Sequence, residues 1–220
     1  MDTETRFSYR DLMLLASSPS DEIRFRWLFA TSHLDRRQII EDAVDSISAE
    51  FAETPQHRKD RSEDGLTIDV VTSLKHMGFQ ATHDEDIGGH CDIVVRGKGN
   101  FLWLAEAKIH KAYDWLAKGY QQITTRYSTG MPGQDAGALV IYCKAENVKG
   151  IMDKWREHFA GVFPDAKVAD CATSPLSFVS TSTHPRSGLP FRIRHIPISV
   201  WHEPKEGESR KKKAATIEDT

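Results

Sequence analysis

The chain of 220 residues has 39% hydrophobic and 28% charged side chains, the composition of an ordinary globular protein. Its formal net charge of −3 gives it no overall basic character, so a nucleic-acid partner has to be argued from local patches. The longest apolar runs are too short to cross a bilayer, and the first residues lack the apolar region of a secretory signal. Three widely spaced cysteines favour reduced thiols over a disulfide framework or a structural zinc site. These features predict a cytoplasmic protein with no membrane partner.

Residues 1–60 are predicted to form a helical N-terminal segment. Residues 22–30 form a candidate helix, preceded by a turn that contains serine and proline. Residues 35–53 are typical of an amphipathic helix, with apolar side chains at Ile40, Val44, Ile47 and Phe51. The polar stretch 53–64, which contains Pro55, is typical of a linker. The segment is therefore expected to be an α-helical extension of the main domain.

Residues 61–202 are predicted to form that main domain. A helix over 63–77 ends at Gly78, and a strand over 79–82 leads into an acidic loop over 83–90. A hairpin spans 91–109 with its turn at 96–100, followed by a helix over 112–128, a buried strand over 137–143 and a helix over 147–161. Strands over 176–180 and 191–201 could pair, and Pro197 would place the second at a sheet edge or a bulge. This order predicts an α/β fold with a mixed central β-sheet flanked by helices.

The last residues, 203–220, are polar and are expected to form a disordered tail. They include a basic stretch at 209–213, which could meet nucleic acid but is more typical of a solubilising tail. We therefore expect the chemistry of the protein to lie in the main domain.

The predicted hairpin carries charged side chains where a buried strand should have apolar ones. If its turn is centred on Gly99, Asp92 lies opposite Glu106. Lys108 then shares their face of the sheet, while Cys91 faces the other way. Two carboxylates opposed this closely repel each other unless a divalent cation lies between them, and Mg²⁺ accepts one or two carboxylates together with substrate phosphate. Because Lys108 could orient or deprotonate a water, or stabilise charge on the phosphate, the pattern predicts a site for phosphodiester hydrolysis.

These residues resemble a known signature. Asp92 followed by Glu106, Ala107 and Lys108 is similar to the D…ExK pattern of the restriction-endonuclease-like, or PD-(D/E)xK, nuclease superfamily. The surroundings are similar as well, with a helix ending in MGF, a strand, the segments GHCDIVV and FLWLAEAK, a helix containing GYQQITTRY, and the strand ALVIYC. The resemblance covers residues 63–144 and implies a restriction-endonuclease-like core. Cys91 stands where the name-giving proline of the family would be.

The resemblance implies roles for the signature residues. Asp92 and Glu106 would be metal ligands, with the Ala107 carbonyl as a candidate third ligand. Lys108 would be the catalytic lysine. The implied cofactor is Mg²⁺, which Mn²⁺ would be able to replace.

Two further positions follow from the resemblance. Glu63 would supply the acidic ligand that many members carry on the first helix, with Asp64 and Asp69 as competitors for that role. Gln122 resembles a glutamine that several branches place beside the site on the helix after the hairpin, as a further catalytic residue. A tyrosine usually follows that glutamine, and here Tyr127 stands one residue later than the usual spacing.

Each assignment has a plainer alternative. Glu106 and Lys108 could be a solvated ion pair on an edge strand, and Glu63 could be a first-turn charge favoured by the helix dipole. Gln122 could be an ordinary surface glutamine. Basic side chains around the helix after the hairpin could contact phosphates or only keep that helix face soluble. The candidate nucleic-acid contacts are Lys111, Lys118, Arg126 and Tyr127.

The residues and the resemblance together lead to the hypothesis of a Mg²⁺-dependent deoxyribonuclease that acts in prokaryotic restriction or anti-phage defence. Its partner would be DNA, or RNA, and a homodimer or a higher homo-oligomer would suit the cutting of both strands. A protein or a nucleotide signal could activate it. A structure-specific repair nuclease or junction resolvase is a second hypothesis, and a non-catalytic nucleic-acid-binding subunit that keeps the nuclease fold is a third. Retention of Asp92, Glu106 and Lys108 together favours an enzyme.

Overall fold

The computed structural model describes residues 8–205 and shows an α/β fold around a seven-stranded mixed sheet. The strands are β1 (Gln80–Asp86), β2 (His90–Gly97), β3 (Phe101–Ile109), β4 (Ala136–Cys143), β5 (Lys167–Asp170), β6 (Phe178–Thr183) and β7 (Pro190–Ser199). They lie in the order β1-β2-β3-β4-β7-β6-β5. The neighbours β3, β4 and β7 run parallel, and the pairs outside them are antiparallel.

Helices connect and cover these strands. They are α1 (Tyr9–Leu15), α2 (Pro19–Phe29), α3 (His33–Glu53), α4 (Glu63–His76), α5 (Tyr113–Gln121) and α6 (Val148–Val162), with a 3₁₀ turn at Pro55–His57 and a π-helical turn at Gln122–Tyr127. Four helices begin after a serine whose side-chain oxygen accepts a hydrogen bond from a backbone N–H of the first turn. These serines are Ser8, Ser18, Ser32 and Ser62. Gly78, with a φ of +91°, follows α4 in the left-handed conformation that ends a helix, as predicted.

The two faces of the sheet are covered by different helices. Helices α2, α3 and α4 pack on one face, and α5 and α6 pack on the other. The predicted apolar stripe of α3 is fully buried and shares its cluster with β7; the residues are Ile40, Val44, Ile47, Phe51, Ile196 and Ile198. The N-terminal helices therefore share one core with the sheet that carries the hairpin.

Ion pairs that each contain one buried charge also join α3 to β7. Arg192 donates hydrogen bonds to Glu41, which is only 2% exposed. Arg194 is fully buried, and its Nη2 lies 2.9 Å from both carboxylate oxygens of Asp45. Removing one partner of such a pair leaves a buried charge uncompensated, at a cost of about 3–5 kcal/mol. The pairs therefore disfavour other registers of α3 on the sheet.

The predicted order of a helix, three strands, a helix, a strand, a helix and further strands is confirmed. One boundary is wrong, because the predicted acidic loop over 83–90 is mostly the second half of β1. His83 pairs with Ile93 and Glu85 with Cys91, so β1 continues to Asp86. Its side chains there are polar because β1 is an edge strand with one side open to solvent.

Pro197 lies in an interior strand, since β7 is placed between β4 and β6, and the prediction of an edge strand is therefore wrong. The last residue of β7 that pairs with β6 is His195, so β6 has ended before Pro197. The N–H groups of Arg192 and Val200 point towards β4, so Pro197 lacks its N–H on the opposite side, where β6 no longer pairs. On that side the Pro197 carbonyl accepts a hydrogen bond from the Ser48 hydroxyl. Proline is tolerated here because the neighbouring strand is shorter.

Three further predictions concern membranes, cysteines and the tail. None of the helices within residues 8–205 is long and apolar enough to cross a membrane. Cys91, Cys143 and Cys171 are all free thiols, as their spacing predicts. The predicted tail lies outside the described residues from position 206 onwards, and so does the basic stretch at 209–213.

Candidate active site

The β2–β3 hairpin has the predicted register. Val94 pairs with Leu104 and Arg96 with Leu102, around a turn in which Gly99 has a φ of +70°. The ladder ends at the pair formed by Ile93 and Ala105. Asp92 and Glu106 therefore stand at the first position beyond the last paired residues.

The two strands separate at that point, and carboxylates take over the hydrogen bonds of the missing partner strand. The odd-numbered N–H groups of β3 point towards β2, because the even-numbered ones pair with β4. The Ala107 N–H donates to Asp92 Oδ2 over 2.8 Å, and the Ile109 N–H donates to Glu63 Oε2 over 2.6 Å. Asp92 and Glu63 are thus fixed by backbone amides at the open end of the hairpin.

The ammonium of Lys108 lies among three carboxylates. Its Nζ is 2.5 Å from Glu106 Oε1, 3.8 Å from Glu63 Oε1 and 4.0 Å from Asp92 Oδ2. Glu106 is 2% exposed and Lys108 is 6% exposed, which rules out a solvated pair on an edge strand. The predicted residues of the signature therefore converge in one place.

Glu63 is the acid that α4 brings to this place. Its two competitors are directed elsewhere, because Asp64 is exposed and Asp69 forms an ion pair with Arg61. Glu63 is also the first residue of α4, where the helix dipole favours a carboxylate. The Glu63 carboxylate is therefore both a first-turn charge favoured by the helix dipole and a member of the candidate site.

The acids and the lysine shift one another's pKa values. Burial, reinforced by the Asp92 carboxylate, raises the pKa of Glu106 to about 7 in spite of the neighbouring ammonium. Burial also raises the pKa of Asp92, and the hydrogen bond from Ala107 opposes that rise. Burial lowers the pKa of Lys108, but the surrounding carboxylates, with Glu106 foremost, outweigh it and raise that pKa above its ordinary value. Lys108 is therefore an ammonium ion at neutral pH, which suits charge stabilisation better than the deprotonation of water.

The donor set has to be compared with the predicted metal ion. In the part of the chain from 8 to 205, no three His, Cys, Asp or Glu side chains are arranged so as to hold a metal. The site offers the carboxylates of Asp92 and Glu106, and Glu106 Oε2 is buried without a hydrogen-bond partner among these described residues. A buried carboxylate oxygen without a donor is costly unless a cation compensates it. The Ala107 carbonyl lies on the same side of β3 as the N–H that meets Asp92.

Two carboxylates and a carbonyl are the hard oxygen ligands that Mg²⁺ accepts when waters and phosphate complete its shell. The partnerless oxygen of Glu106 is the feature that such an ion would satisfy. The residues present therefore fit the predicted Mg²⁺ or Mn²⁺.

Helix α5 lies directly over this site because of Gly119. A Cβ at Gly119 would stand 3.0 Å from Leu139 Cδ1, 3.2 Å from Lys108 Cγ and 3.5 Å from Glu106 Cγ. The first two of these distances are tighter than an ordinary contact, so a Cβ here would require Leu139 and Lys108 to shift by a few tenths of an ångström. A residue without a side chain lets α5 cover the stems of Glu106 and Lys108 without that shift.

The π-helical turn after α5 accounts for the unusual spacing of Gln122 and Tyr127. In a π turn the backbone bond joins residues five apart, as from the Ser128 N–H to the Ile123 carbonyl over 3.1 Å. Gln122 Nε2 donates to the Tyr127 hydroxyl over 3.2 Å, so the extra residue between them does not separate the pair. Burial, and then the Glu106 carboxylate, raise the pKa of Tyr127 to about 12, which places this pair beside the site.

The candidate nucleic-acid contacts differ in exposure. Lys111, Lys118 and Arg126 are exposed. Tyr127 is only 2% exposed and packs in a small cluster, so its ring offers no surface to nucleic acid. Tyr127 is therefore a partner of Gln122 within the fold, and the three basic residues remain candidates.

Cys91 lies on the site side of β2, and its predicted place on the opposite face is wrong. It packs in the cluster formed by Cys91, Val94, Leu102, Leu104 and Tyr127. The prediction assumed strict alternation of side chains, which requires a regular ladder. Pairing with β3 ends at Ile93, and Asp84, the residue of β1 across from Asp92, has a left-handed φ of +55°.

Trp115 borders the site and was missed by the sequence analysis. Its ring centroid lies 5.1 Å from Lys108 Nζ and 5.4 Å from Lys118 Nζ. It is 36% exposed, on the polar side of α5. A tryptophan among the polar positions of an amphipathic helix is the sequence signal that could have identified it.

No protein-family model matches the chain, and no curated protein or solved structure is significantly similar to it. The resemblance to the D…ExK signature therefore stays a prediction. Any assignment of function has to rest on the side chains at the open end of the hairpin.

Proposed function

We propose that the chain is a metal-dependent nuclease that hydrolyses phosphodiester bonds of DNA, with Mg²⁺ as its cofactor and Mn²⁺ as a substitute. The observation that carries the proposal is the Lys108 ammonium, buried among the carboxylates of Glu106, Glu63 and Asp92. Burying ionised groups costs several kcal/mol each, and titratable groups with shifted pKa values gather at catalytic sites. The restriction-endonuclease-like core that the sequence resembles is part of the same proposal.

In the proposed reaction, water adds across a P–O bond: its oxygen bonds to phosphorus and its proton goes to the oxygen that leaves. Asp92 and Glu106, with the Ala107 carbonyl, would hold the metal. When bound, the ion supplies Lewis-acid activation of the phosphate and of the attacking water. Lys108, as an ammonium ion, stabilises the negative charge that builds on the phosphate oxygens.

Residues around this group would position the substrate. Gln122 has two amide hydrogens, of which one bonds to Tyr127, so the second is available for a phosphate oxygen. Gly119 lets α5 lie over the stems of Glu106 and Lys108. In that position α5 would limit the access of water from its side of the sheet. Lys111, Lys118 and Arg126 would contact phosphates farther along the strand, since they are exposed around the same helix.

The test is Mg²⁺-dependent degradation of plasmid DNA by the wild type and by Lys108→Ala. We expect the substitution to lower the rate about 100-fold or more, because an electrostatic group at the reacting phosphate is lost. The matched control is Lys149→Ala, an exposed lysine of α6 that is paired with Asp153. It should cleave at the wild-type rate.

Equal cleavage by the wild type and by Lys108→Ala would refute this mechanism. No cleavage by the wild type, with DNA binding intact, would favour the non-catalytic binding subunit instead. Cleavage of branched DNA in preference to linear duplex would favour a junction resolvase or repair nuclease.

The wider role that we propose is restriction or anti-phage defence in the cytoplasm of a prokaryote. One site cuts one strand, so a homodimer would suit cleavage of both strands of a duplex. A protein or a nucleotide signal would activate the enzyme. These parts of the proposal rest on the family resemblance alone.

A further inference from the structure

Trp115 is a large aromatic side chain on the solvent side of α5. It is 36% exposed, whereas Leu116, Ala117 and Tyr120 on the other side of the helix are buried in the core with α6. Tryptophan is highly buried on average in folded proteins, and this ring is partly open to solvent beside the charged group of the site.

Two ammonium groups lie close to the ring. Lys108 Nζ lies 5.1 Å from its centroid and Lys118 Nζ lies 5.4 Å from it, both within the range of a cation–π contact. Lys108 Nζ is also 2.5 Å from Glu106 Oε1. A single ammonium group thus contacts both the ring and a carboxylate of the proposed active site.

The side chains near the ring on and just before α5 are mostly basic, whereas the carboxylates of Glu106, Glu63 and Asp92 lie around Lys108. Lys118 is one helical turn after Trp115, and Lys111 lies two residues before α5 begins. The nearest acid on the helix, Asp114, is directed towards α6, where its Oδ1 lies 3.0 Å from His158 Nε2. An aromatic ring flanked by cations is the arrangement that binds single-stranded nucleic acid, because bases stack on the ring while cations meet phosphates.

We propose that Trp115 is a stacking platform for an unpaired base next to the phosphate that is cut, so that the substrate is a single strand or a duplex opened at the cleavage point. The inference rests on the proposed nuclease function and narrows its substrate. In an intact duplex both faces of each base are covered by neighbouring bases, so the ring can stack only on a base that has left the helix. When the base stacks on the ring, the Lys118 ammonium moves away from the ring. It then contacts a phosphate of the strand.

The experiment measures binding by fluorescence anisotropy, with Ca²⁺ in place of Mg²⁺ to suppress cleavage. The probes are labelled oligothymidylate, labelled oligouridylate and a blunt DNA duplex. The variants are Trp115→Ala, Trp115→Phe, which keeps an aromatic ring, and Phe29→Ala. Phe29 is the matched control because it is an aromatic side chain, 50% exposed, on α2 at the other face of the sheet.

We expect Trp115→Ala to bind a single strand about tenfold more weakly than the wild type, since stacking on one base is lost. Trp115→Phe should keep most of the affinity, and Phe29→Ala should keep all of it. Binding of the blunt duplex should not change in any variant. The two single-stranded probes show whether the platform accepts DNA, RNA or both.

Three results would overturn the inference: unchanged single-strand binding by Trp115→Ala, an equal loss for all three probes, or a wild type that binds the duplex more tightly than either single strand. Cleavage by Lys108→Ala tests the nuclease mechanism separately from the stacking platform. If Lys108→Ala is inactive while Trp115→Ala binds single strands normally, only the platform is refuted. If Lys108→Ala cleaves normally, the nuclease mechanism itself is refuted.

Discussion

Glu106 and Lys108 stabilise each other as charges in a place that suits neither of them alone. Both are almost fully buried, and 2.5 Å separates the Glu106 Oε1 from the Lys108 Nζ. A buried ion pair contributes little net stability, but the loss of one partner leaves the other without compensation. The pair is therefore better explained by function than by folding.

This dependence predicts an asymmetry in stability. Lys108→Met should lower the free energy of unfolding by about 2 kcal/mol or more, because Glu106 keeps a buried carboxyl without its cation. Adding Glu106→Gln to that variant should recover at least half of the loss, since the carboxyl is then gone. Urea unfolding in the presence of EDTA measures both values. A double variant less stable than Lys108→Met would contradict the prediction.

At the scale of a single element, His195 joins β7 to helix α6 on one face of the sheet and to the neighbouring strand β6. The ring Nδ1 accepts a hydrogen bond from Trp155 Nε1 of α6 over 3.1 Å, and Nε2 lies 2.9 Å from the Ser180 hydroxyl of β6. The indole N–H can only donate, so the neutral ring carries its proton on Nε2. Burial lowers the pKa of His195 to about 3. Protonation would set an N–H of the ring against the indole N–H.

His195 should therefore make the fold sensitive to acid. Its pKa is lower in the folded chain than the ordinary value of 6.5, so the unfolded chain takes up the proton first as the pH falls. Stability from this residue is complete above pH 6.5 and is lost towards pH 3, by about 1.4 kcal/mol per pH unit. The stability difference between the wild type and His195→Gln should narrow from pH 7 to pH 5 in urea unfolding. Parallel pH curves for the two proteins would contradict this.

At the scale of the whole molecule, α3 completes the core on one face of the sheet. Its buried side chains pack with β7, and its acids pair with Arg192 and Arg194. Helix α1, in contrast, has no buried residue within the described chain. The N-terminal region therefore combines a helix that the fold requires with one that it does not.

Two truncations should separate these helices. A chain without residues 1–60 should not fold, because it exposes the apolar side of β7 and leaves the charge of Arg194 unpaired. A chain without residues 1–17 should stay folded with a similar thermal midpoint, because α1 is the only helix or strand of the described residues that it loses. Circular dichroism during heating measures both. Cooperative unfolding of the chain without residues 1–60 would contradict the prediction, because it would show that the sheet folds without α3.

The hairpin and the charged group on it could be predicted from the sequence, because local patterns determine them. Gly99 marks the turn, and the register that follows from it brings Asp92 and Glu106 to the same level. The short strand β5 was missed because its four residues are mostly exposed and have no apolar pattern.

Other parts of the site depend on contacts between distant segments. Glu63 could only be one of three candidate acids, since its bond to the Ile109 N–H depends on how α4 packs against β3. The place of Cys91 could not be predicted because β2 leaves its ladder at that point. The position of Trp115 beside Lys108 depends on the close approach of α5 at Gly119.

The extra residue between Gln122 and Tyr127 has a consequence for how distant relatives are recognised. Patterns with fixed gaps count positions along the chain, whereas contacts between side chains depend on their arrangement in space. A π turn absorbs one inserted position and leaves the glutamine in hydrogen-bond contact with the tyrosine. A search that allows one additional residue in this gap, whenever a helix is expected there, would retrieve chains that a rigid template overlooks.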